Sequence, residues 1–241
     1  MTSDVFRRQK LNAWLGEEGQ ERLKRASVLI TRVGGLGGPL AQSLALAGVG
    51  RIVLHHEGVL QPEDCHRMLL MDPSRVGEPR AQQAAQSLRR LRPDLEVEAF
   101  DSRIDPTRAA AWMEQCDLAI GAAPTFEERL VLNDAARRAA RPFLDAAMYA
   151  DEGQVFVAHP RDGACLRCLL PEVPPWRADF PVLAAVSATI GNLAAWLAVR
   201  ILSGHDEVPW SHYLHLDFPS MTLRKLEVSS RDDCPSCAAT V

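Results

Sequence analysis

Residues 28–50, VLITRVGGLGGPLAQSLALAGVG, leave this chain few ways to fold. An apolar strand at residues 27–30 runs into a turn carrying Gly34, Gly35 and Gly37, and the turn runs into an alanine- and leucine-rich helix over residues 39–47. A strand that passes through glycines directly into a helix is the opening unit of a parallel sheet, because the helix must carry the chain back to start the next strand. The same unit can receive phosphate: glycines let the backbone approach the anion, and the helix N-terminus presents unpaired N–H groups to it. The position that normally opens such a turn with glycine is Arg32. Taken alone the glycine turn is a weak signal, since GGLGG also serves close packing of strand on helix.

The rest of the chain repeats the alternation. RIVLHH (residues 51–56) reads as the second strand, and a polar loop follows over residues 57–78. PRAQQAAQSLRRLRP reads as a helix with Pro79 near its first turn and Pro93 beyond its end. EVEAFD, DLAIGAAP, PFLDAAMY and GQVFVAHP read as further strands, with AAAWMEQ and FEERLVLNDAARRAAR as helices, the latter with one solvated face. PEVPPWRADFP is proline-rich and reads as a surface crossover. VLAAVSATIGNLAAWLAVRILSG is a nearly all-apolar helix, buried or packed on a partner, and HYLHLDFPSMTLRKLEV is a closing hairpin. The expected fold is therefore α/β: one domain over residues 1–241, with a doubly wound, mostly parallel sheet and a C-terminal antiparallel segment.

Composition narrows the function classes. Hydrophobic residues at 47% and charged residues at 24% indicate a globular protein, and a net charge of −4 gives no reason to expect nucleic acid or an anionic membrane as partner. The N-terminal MTSDVFRRQKLNAWLGEEGQ lacks the apolar stretch of a signal peptide, no uninterrupted apolar run has membrane-spanning length, and the expected compartment is the cytoplasm. Of the six cysteines, four form two C-x-x-C pairs, Cys165 with Cys168 and Cys234 with Cys237, while Cys65 and Cys116 stand alone. Two such hooks supply four thiolates for a closed tetrahedral zinc site, which would pin the C-terminal tail to the loop at Cys165. A redox dithiol would sit at a helix start beside a strand, which CPSC at the chain's end fits poorly. The expected role of the metal is structural, since all its positions are filled by protein. The histidines carry no metal motif: adjacent His55 and His56 point to opposite faces of a strand, and His212 and His215 read as hairpin residues.

Motifs spread along nearly the whole chain resemble one family. RRQ (Arg7, Arg8, Gln9), GEEGQERLKRASVLI, GGLG, LALAGVGRIVL, VGEPRAQ, RLVLNDA, EGQVFVAHP, CLRCLLPE, IGNLAAWLAVRIL and DCPSC together are similar to the small MoeB/ThiF adenylyltransferases of the ubiquitin-activating superfamily. The resemblance implies a ThiF-type nucleotide-binding fold with structural zinc, a dimer, and Mg-ATP chemistry that adenylates the C-terminal carboxylate of a ubiquitin-like sulfur carrier. It also implies site residues. Gly34, Gly35 and Gly37 form the cradle, and Arg67 and Arg80 face the phosphates, Arg80 standing where the family has lysine. His56, with Glu57 beside it, falls on the acid that grips the ribose; Gly58 falls on a second acidic position and Asp64 on an asparagine. Arg8 falls on the arginine that reaches into the neighbouring subunit's site.

Several of these positions depart from the family pattern. Arg32 replaces the first glycine, Pro124 falls where the family places its metal-binding aspartate, and Arg177 stands nearest to the crossover cysteine of some members. Proline offers no carboxylate to Mg²⁺, a hard cation that needs oxygen ligands. Arg32 is expected either to fold over the cradle and block the phosphates or to pair with a phosphate in place of the metal, and blocking is favoured. The expected function is that of an adenylyltransferase-like subunit with an impaired or altered ATP site, working as a homodimer or beside a related subunit and binding a carrier protein. The competing expectation is a divergent but active adenylyltransferase acting on a carrier or small-molecule carboxylate. An oxidoreductase using the glycine turn for a dinucleotide is weaker, since the ribose-gripping acid is displaced.

Overall fold

The computed structural model describes residues 4–175 and 179–238. In chain order the helices are α1 (Arg7–Lys10), α2 (Gly16–Arg25), α3 (Gly37–Ala47), α4 (Arg80–Leu91), α5 (Pro106–Met113), α6 (Phe126–Arg138), α7 (Leu166–Leu169), α8 (Ala184–Leu202) and α9 (Pro235–Ala238). The strands are β1 (Ser27–Thr31), β2 (Arg51–His55), β3 (Glu96–Phe100), β4 (Leu118–Gly121), β5 (Phe143–Tyr149), β6 (Glu152–Ala158), β7 (His212–Asp217) and β8 (Thr222–Glu227). They form one sheet in the order β3-β2-β1-β4-β5-β6-β7-β8. The first five strands pair in parallel and the last three join antiparallel.

Every residue of β1 is buried, as a central parallel strand covered on both faces requires. The chain leaves β1 toward β2 on one side and returns through β4 on the other. That reversal opens a crevice beyond the C-terminal ends of β1 and β4, where open α/β sheets receive ligands.

Two features differ from the sequence expectation. The regular structure begins before β1, because α1 and α2 precede it, and Leu23 of α2 is fully buried. The helix expected from about residue 39 begins at Gly37. A Cβ on Gly37 would lie 2.0 Å from the carbonyl oxygen of Arg32, so only glycine lets the helix start this close under the strand end.

By length and mean hydropathy, 1.5, α8 is the one helix among the described residues that could cross a membrane. It is instead a core helix. Val186, Ile190, Ala194, Leu197 and Ala198 are buried as it packs on α3, β5 and β6. A Cβ on Gly191 would sit 2.3 Å from the carbonyl of Leu36, so α8 presses its backbone on the N-terminus of α3 and fixes the cradle from behind. Trp196, on the outer face of α8, stays 48% exposed.

Candidate functional site

A cavity of about 710 Å³ opens beyond the C-terminal ends of β1 and β4, and its lining runs on along β5 and β6 to β7. One arm is the cradle. Gly34 and Gly35 border it below the N-terminus of α3, in whose first turn the Gly38 N–H donates to Gly34 O and Pro39 has no N–H.

Arg67 and Arg80 border the same arm, and the buried Asp64 holds both. Arg67 Nη2 donates to Asp64 Oδ1 at 3.0 Å, and Arg80 Nε donates to Asp64 Oδ2 at 3.0 Å. Asp64 is itself fixed by a short helical turn, where its carboxylate accepts from the Gln61 N–H at 3.1 Å. A carboxylate between two guanidiniums sets their orientation before any ligand arrives.

Arg32 behaves otherwise. Its backbone takes φ 66°, a left-handed conformation that suits the glycine the resemblance leads one to expect. Its side chain is neither laid over the glycines nor free. Nε and Nη2 donate to Glu128 at 3.0 and 2.8 Å, and Nη2 also donates to Glu57 at 2.9 Å. Thr125 Oγ1 adds a bond to Glu128 at 3.1 Å, and Arg103 lies 3.3 Å from Glu57 and 3.8 Å from Glu128. Burial alone would lower the Arg32 pKa, but the hydrogen bonds of Glu128 and Glu57 outweigh it and hold the guanidinium charged. The Glu57 carboxyl is held below its usual range, first by the Arg32 hydrogen bond. The network ties the ends of β1 and β2 to the first turn of α6.

His56 borders the cavity and is 4% exposed, with Nδ1 buried and without a hydrogen-bond partner. Burial, then the charges of Arg32 and Arg80, depress its pKa to about 3, so the ring is neutral. His55 faces the other way, stacked on Phe100 with ring centres 4.9 Å apart, and burial brings its pKa to about 4. Pro124 borders the cavity at the end of β4, where a proline ring supplies no oxygen.

The second arm runs along β5 and β6, past Ala146, Ala147 and Gly153, to Tyr213, which donates to Gln154 Oε1 at 2.7 Å. At its edge His215 Nε2 lies 3.3 Å from Glu152. Between the arms, Arg129 of α6 is 3% exposed, and its Nε donates to the wholly buried Asp145 at 2.7 Å. α6 has the solvated face the sequence reading expects, at Glu127 and Arg138, but Glu128, Arg129, Asn133 and Arg137 are buried. Arg137 donates to the carbonyls of His159, Asp162 and Gly163, closing the loop that precedes Cys165.

The cysteine hooks meet as the spacing requires. The sulfurs of Cys165, Cys168, Cys234 and Cys237 all lie within 4.8 Å of one another, with Cys165 to Cys234 at 3.5 Å and Cys168 to Cys237 at 3.6 Å. A tetrahedral ion with metal–sulfur bonds of about 2.3 Å sets its sulfurs about 3.8 Å apart, so the cluster fits a metal. Each hook is a tight turn: the N–H of Cys168 donates to Cys165 O, and that of Cys237 to Cys234 O. Asp134 braces the cluster from α6, accepting from Arg167 Nε at 2.8 Å and from Ser236 Oγ at 2.5 Å.

Most of the predicted nucleotide-site residues therefore converge. Arg32, Gly34, Gly35, His56, Asp64, Arg67 and Arg80 all border the cavity; Gly37 lies beneath it, and Glu57 joins through Arg32. Arg8 does not. It is exposed on α1, whose Gln9 bonds Ala47 O at the far end of α3, about 16 Å from the cradle by helix length. Arg177 lies outside the described residues. Glu128, Arg129 and Asp145 had no sequence signal as site residues.

The sequence model of the ThiF family matches residues 6–236. The chain belongs to the ThiF family. It is 38% identical over 233 residues to the vegetative HesA protein of Trichormus variabilis, covering 96% of this chain and 88% of that one. It is 36% identical over 244 residues to the sulfur carrier protein adenylyltransferase of Thermus thermophilus, covering 97% and 90%. Among solved structures, E. coli MccB with AMPCPP and MccA superposes with a TM-score of 0.86 at 18% identity, covering 98% of this chain and 74% of that one. The ThiF fold and a relationship to adenylyltransferases of ubiquitin-like or sulfur carriers follow for this chain.

Proposed function

We propose that this chain is a ThiF-family subunit that receives a carboxylate-bearing tail of a carrier protein but does not run Mg-ATP chemistry in its own site. The observation that carries this reading is the Arg32 network. Glu57, the acid beside the ribose-gripping position, and the buried Glu128 are both ion-paired to Arg32, Asp145 beside the end of β4 is ion-paired to Arg129, and Pro124 replaces the carboxylate that would hold the metal. The residues present do not fit Mg-ATP. A triphosphate transfer site needs a cation held by free oxygens opposite the phosphates, and here the acids in reach are neutralised by the protein itself.

Supporting the tail-binding part, the second arm runs past Ala146, Ala147 and Gly153 along β5 and β6, small residues that leave room beside the sheet for an extended chain. The Thermus relative's name specifies a sulfur carrier as its substrate, and we extend that partner class to this chain. In this reading the subunit works as a homodimer or beside an active relative, and Arg8, exposed and remote from its own cradle, serves a neighbour. The four cysteines hold zinc, which has a structural role, and the compartment is the cytoplasm.

Titration calorimetry with Mg-ATP, followed by pyrophosphate exchange with candidate carriers, tests the reading. We expect no carrier-dependent exchange. Tight Mg-ATP binding with exchange would overturn it in favour of the second reading, a divergent active adenylyltransferase. That alternative has one observation on its side: Arg67 and Arg80 are already aligned by Asp64 on a cavity of about 710 Å³.

A further inference from the structure

The two cysteine hooks come from segments 69 residues apart, and both rest on one helix. α6 packs against α7 and α9, the short helices that carry Cys168 and Cys237. The first hook reads Cys165-Leu166-Arg167-Cys168 and the second Cys234-Pro235-Ser236-Cys237, so Arg167 and Ser236 hold the same, third place in their hooks. One side chain meets both. Asp134 Oδ1 accepts from Arg167 Nε at 2.8 Å and from Ser236 Oγ at 2.5 Å, and Oδ2 accepts from Arg167 Nη2 at 2.6 Å.

Asp134 is fixed in turn. Its neighbour Asn133 is 1% exposed, donates to Asp134 Oδ1 at 3.0 Å, and accepts from the Leu166 N–H of the first hook at 2.8 Å. Further along α6, Arg137 holds the carbonyls of the loop that leads into Cys165. The first hook is therefore bound to α6 at several points, and the bond from Ser236 ties the second hook to the same place. A carboxylate that accepts from one edge of a guanidinium is held in orientation as well as distance. With its plane fixed, Oδ1 gives the Ser236 hydroxyl one place to bind, and the second hook closes on the first in one register. Without such a tie, two hooks far apart in the sequence would lose chain freedom as the ion joined them, and binding would weaken by that amount.

We propose that Asp134 is the positioning residue of the metal site: through Arg167 and Ser236 its carboxylate sets both hooks at ion-binding distance before the ion arrives, and so governs how tightly zinc is held. The proposal rests on the reading that the four cysteines hold zinc, and adds to it a residue outside the four ligands. Asp134 removes much of the ordering that the metal–sulfur bonds would otherwise have to bring about. Because Ser236 acts through this carboxylate, its contribution exists only while Asp134 is present. That dependence separates positioning from a general effect on folding, in which the two losses would add.

The test is a competition titration of the zinc-loaded full chain against a chelator of known affinity. It is run on the wild type, Asp134→Ala, Ser236→Ala and the double variant, with a thermal melt of each. Asp134→Ala is expected to lower zinc affinity by about 10- to 100-fold, the range found when a partner outside the ligand set is removed. Ser236→Ala is expected to lower it by about threefold to tenfold, the loss of one hydrogen bond to a charged group at a partly exposed site. The double variant is expected to match Asp134→Ala within about twofold. Equal affinity of Asp134→Ala and the wild type overturns the proposal, as does a Ser236→Ala effect that persists undiminished beside Asp134→Ala. If Asp134→Ala does not fold, Ser236→Ala decides: a lowered affinity in that folded variant supports the shared tie, and an unchanged one overturns it. A wild type that binds no zinc overturns the proposal and the zinc reading together, whereas zinc bound equally by all four proteins overturns the proposal alone.

Discussion

The four-cysteine cluster and the phosphate cradle are the two regions of the molecule whose residue types point to a bound ligand. Each is a set of residue types at family spacing, and each is assembled in space. They differ in what their ligand groups are doing. The four sulfurs of the cluster lie within 4.8 Å of one another, soft donors at the spacing a tetrahedral ion requires. In the cradle every acidic group is already bound to an arginine. Four soft sulfur donors at tetrahedral spacing call for an ion, whereas acids already ion-paired to arginine have lost much of their call for one. Convergence in space alone does not separate the two cases.

The largest expected effect breaks the cluster. Cys234→Ser should remove the metal and loosen the tail, since structural zinc binding contributes roughly 10–16 kcal/mol to folding in small zinc-finger peptides. In a chain of this size about 1 kcal/mol shifts Tm by about 2–4 °C, so a fall on the order of 10 °C or more is expected. Metal content by elemental analysis and a thermal melt check it together. Full stability in a zinc-free preparation would remove the contrast between the two regions.

Next comes the buried pair between the arms of the cavity. Arg129→Met leaves Asp145 wholly buried without its cation, a change that typically costs about 3–5 kcal/mol. The double variant Arg129→Met, Asp145→Leu should recover most of that loss. Denaturant melts of the single and double variants measure the coupling, and an additive result would mean that the pair is not what holds α6 on β5.

How much of this was legible in the sequence follows from how local the signals are. The hooks are each four residues long and carry their geometry in the turn, so the metal cluster could be read directly. The parallel sheet was legible from alternation, and Gly37 from its place in the turn. Glu128 was not. Its partner Arg32 lies 96 positions away, and in FEERLVLNDAARRAAR an acidic residue beside an arginine looks like part of a solvated face. The pairing of Arg129 with Asp145 was hidden for the same reason: charged residues read as exposed unless a partner is known, and partners are tertiary facts. The leading α2 was missed because its polar composition conceals Leu23, which the sheet buries completely.

Acid sharpens the comparison from a third side. His55 and His56 are neutral in the folded protein, with pKa values brought to about 4 and about 3, against about 6.5 in the unfolded chain. Below pH 6.5 the unfolded state takes up protons that the folded state refuses, so stability is full above that pH and falls as the pH drops toward 4. The slope approaches about 1.4 kcal/mol per pH unit for each histidine. Urea melts at stepped pH measure it, and in His56→Phe the slope should shrink by the share of that one ring. Metal loss from protonated thiols follows the same direction, so the comparison is made between variants at equal zinc content.

The smallest and most discriminating effect concerns Arg32. A blocking side chain should be relieved by Arg32→Gly, which also removes the strain of a non-glycine residue at φ 66°. The ion pairs change that expectation. Removing the guanidinium alone leaves Glu57 and the buried Glu128 to share only Arg103, 3.3 and 3.8 Å away, beside the phosphate space, so the single variant should be less stable and no better at binding nucleotide. Arg32→Gly with Glu128→Ala removes one charge of each sign and leaves Glu57 beside the ribose corner with Arg103 as its remaining partner. That double variant should bind ATP more tightly than either single variant, by an interaction of about 1–3 kcal/mol, within the range of residues that share an ion pair. Calorimetry with ATP across all four proteins gives the cycle. If Arg32→Gly alone raised ATP affinity, the two carboxylates would not be governing the site, and simple obstruction would be the better account. If it lowered affinity and the double variant lowered it further, Arg32 would be a phosphate ligand, and the cradle would stand closer to the cysteine cluster than its internal pairing indicates.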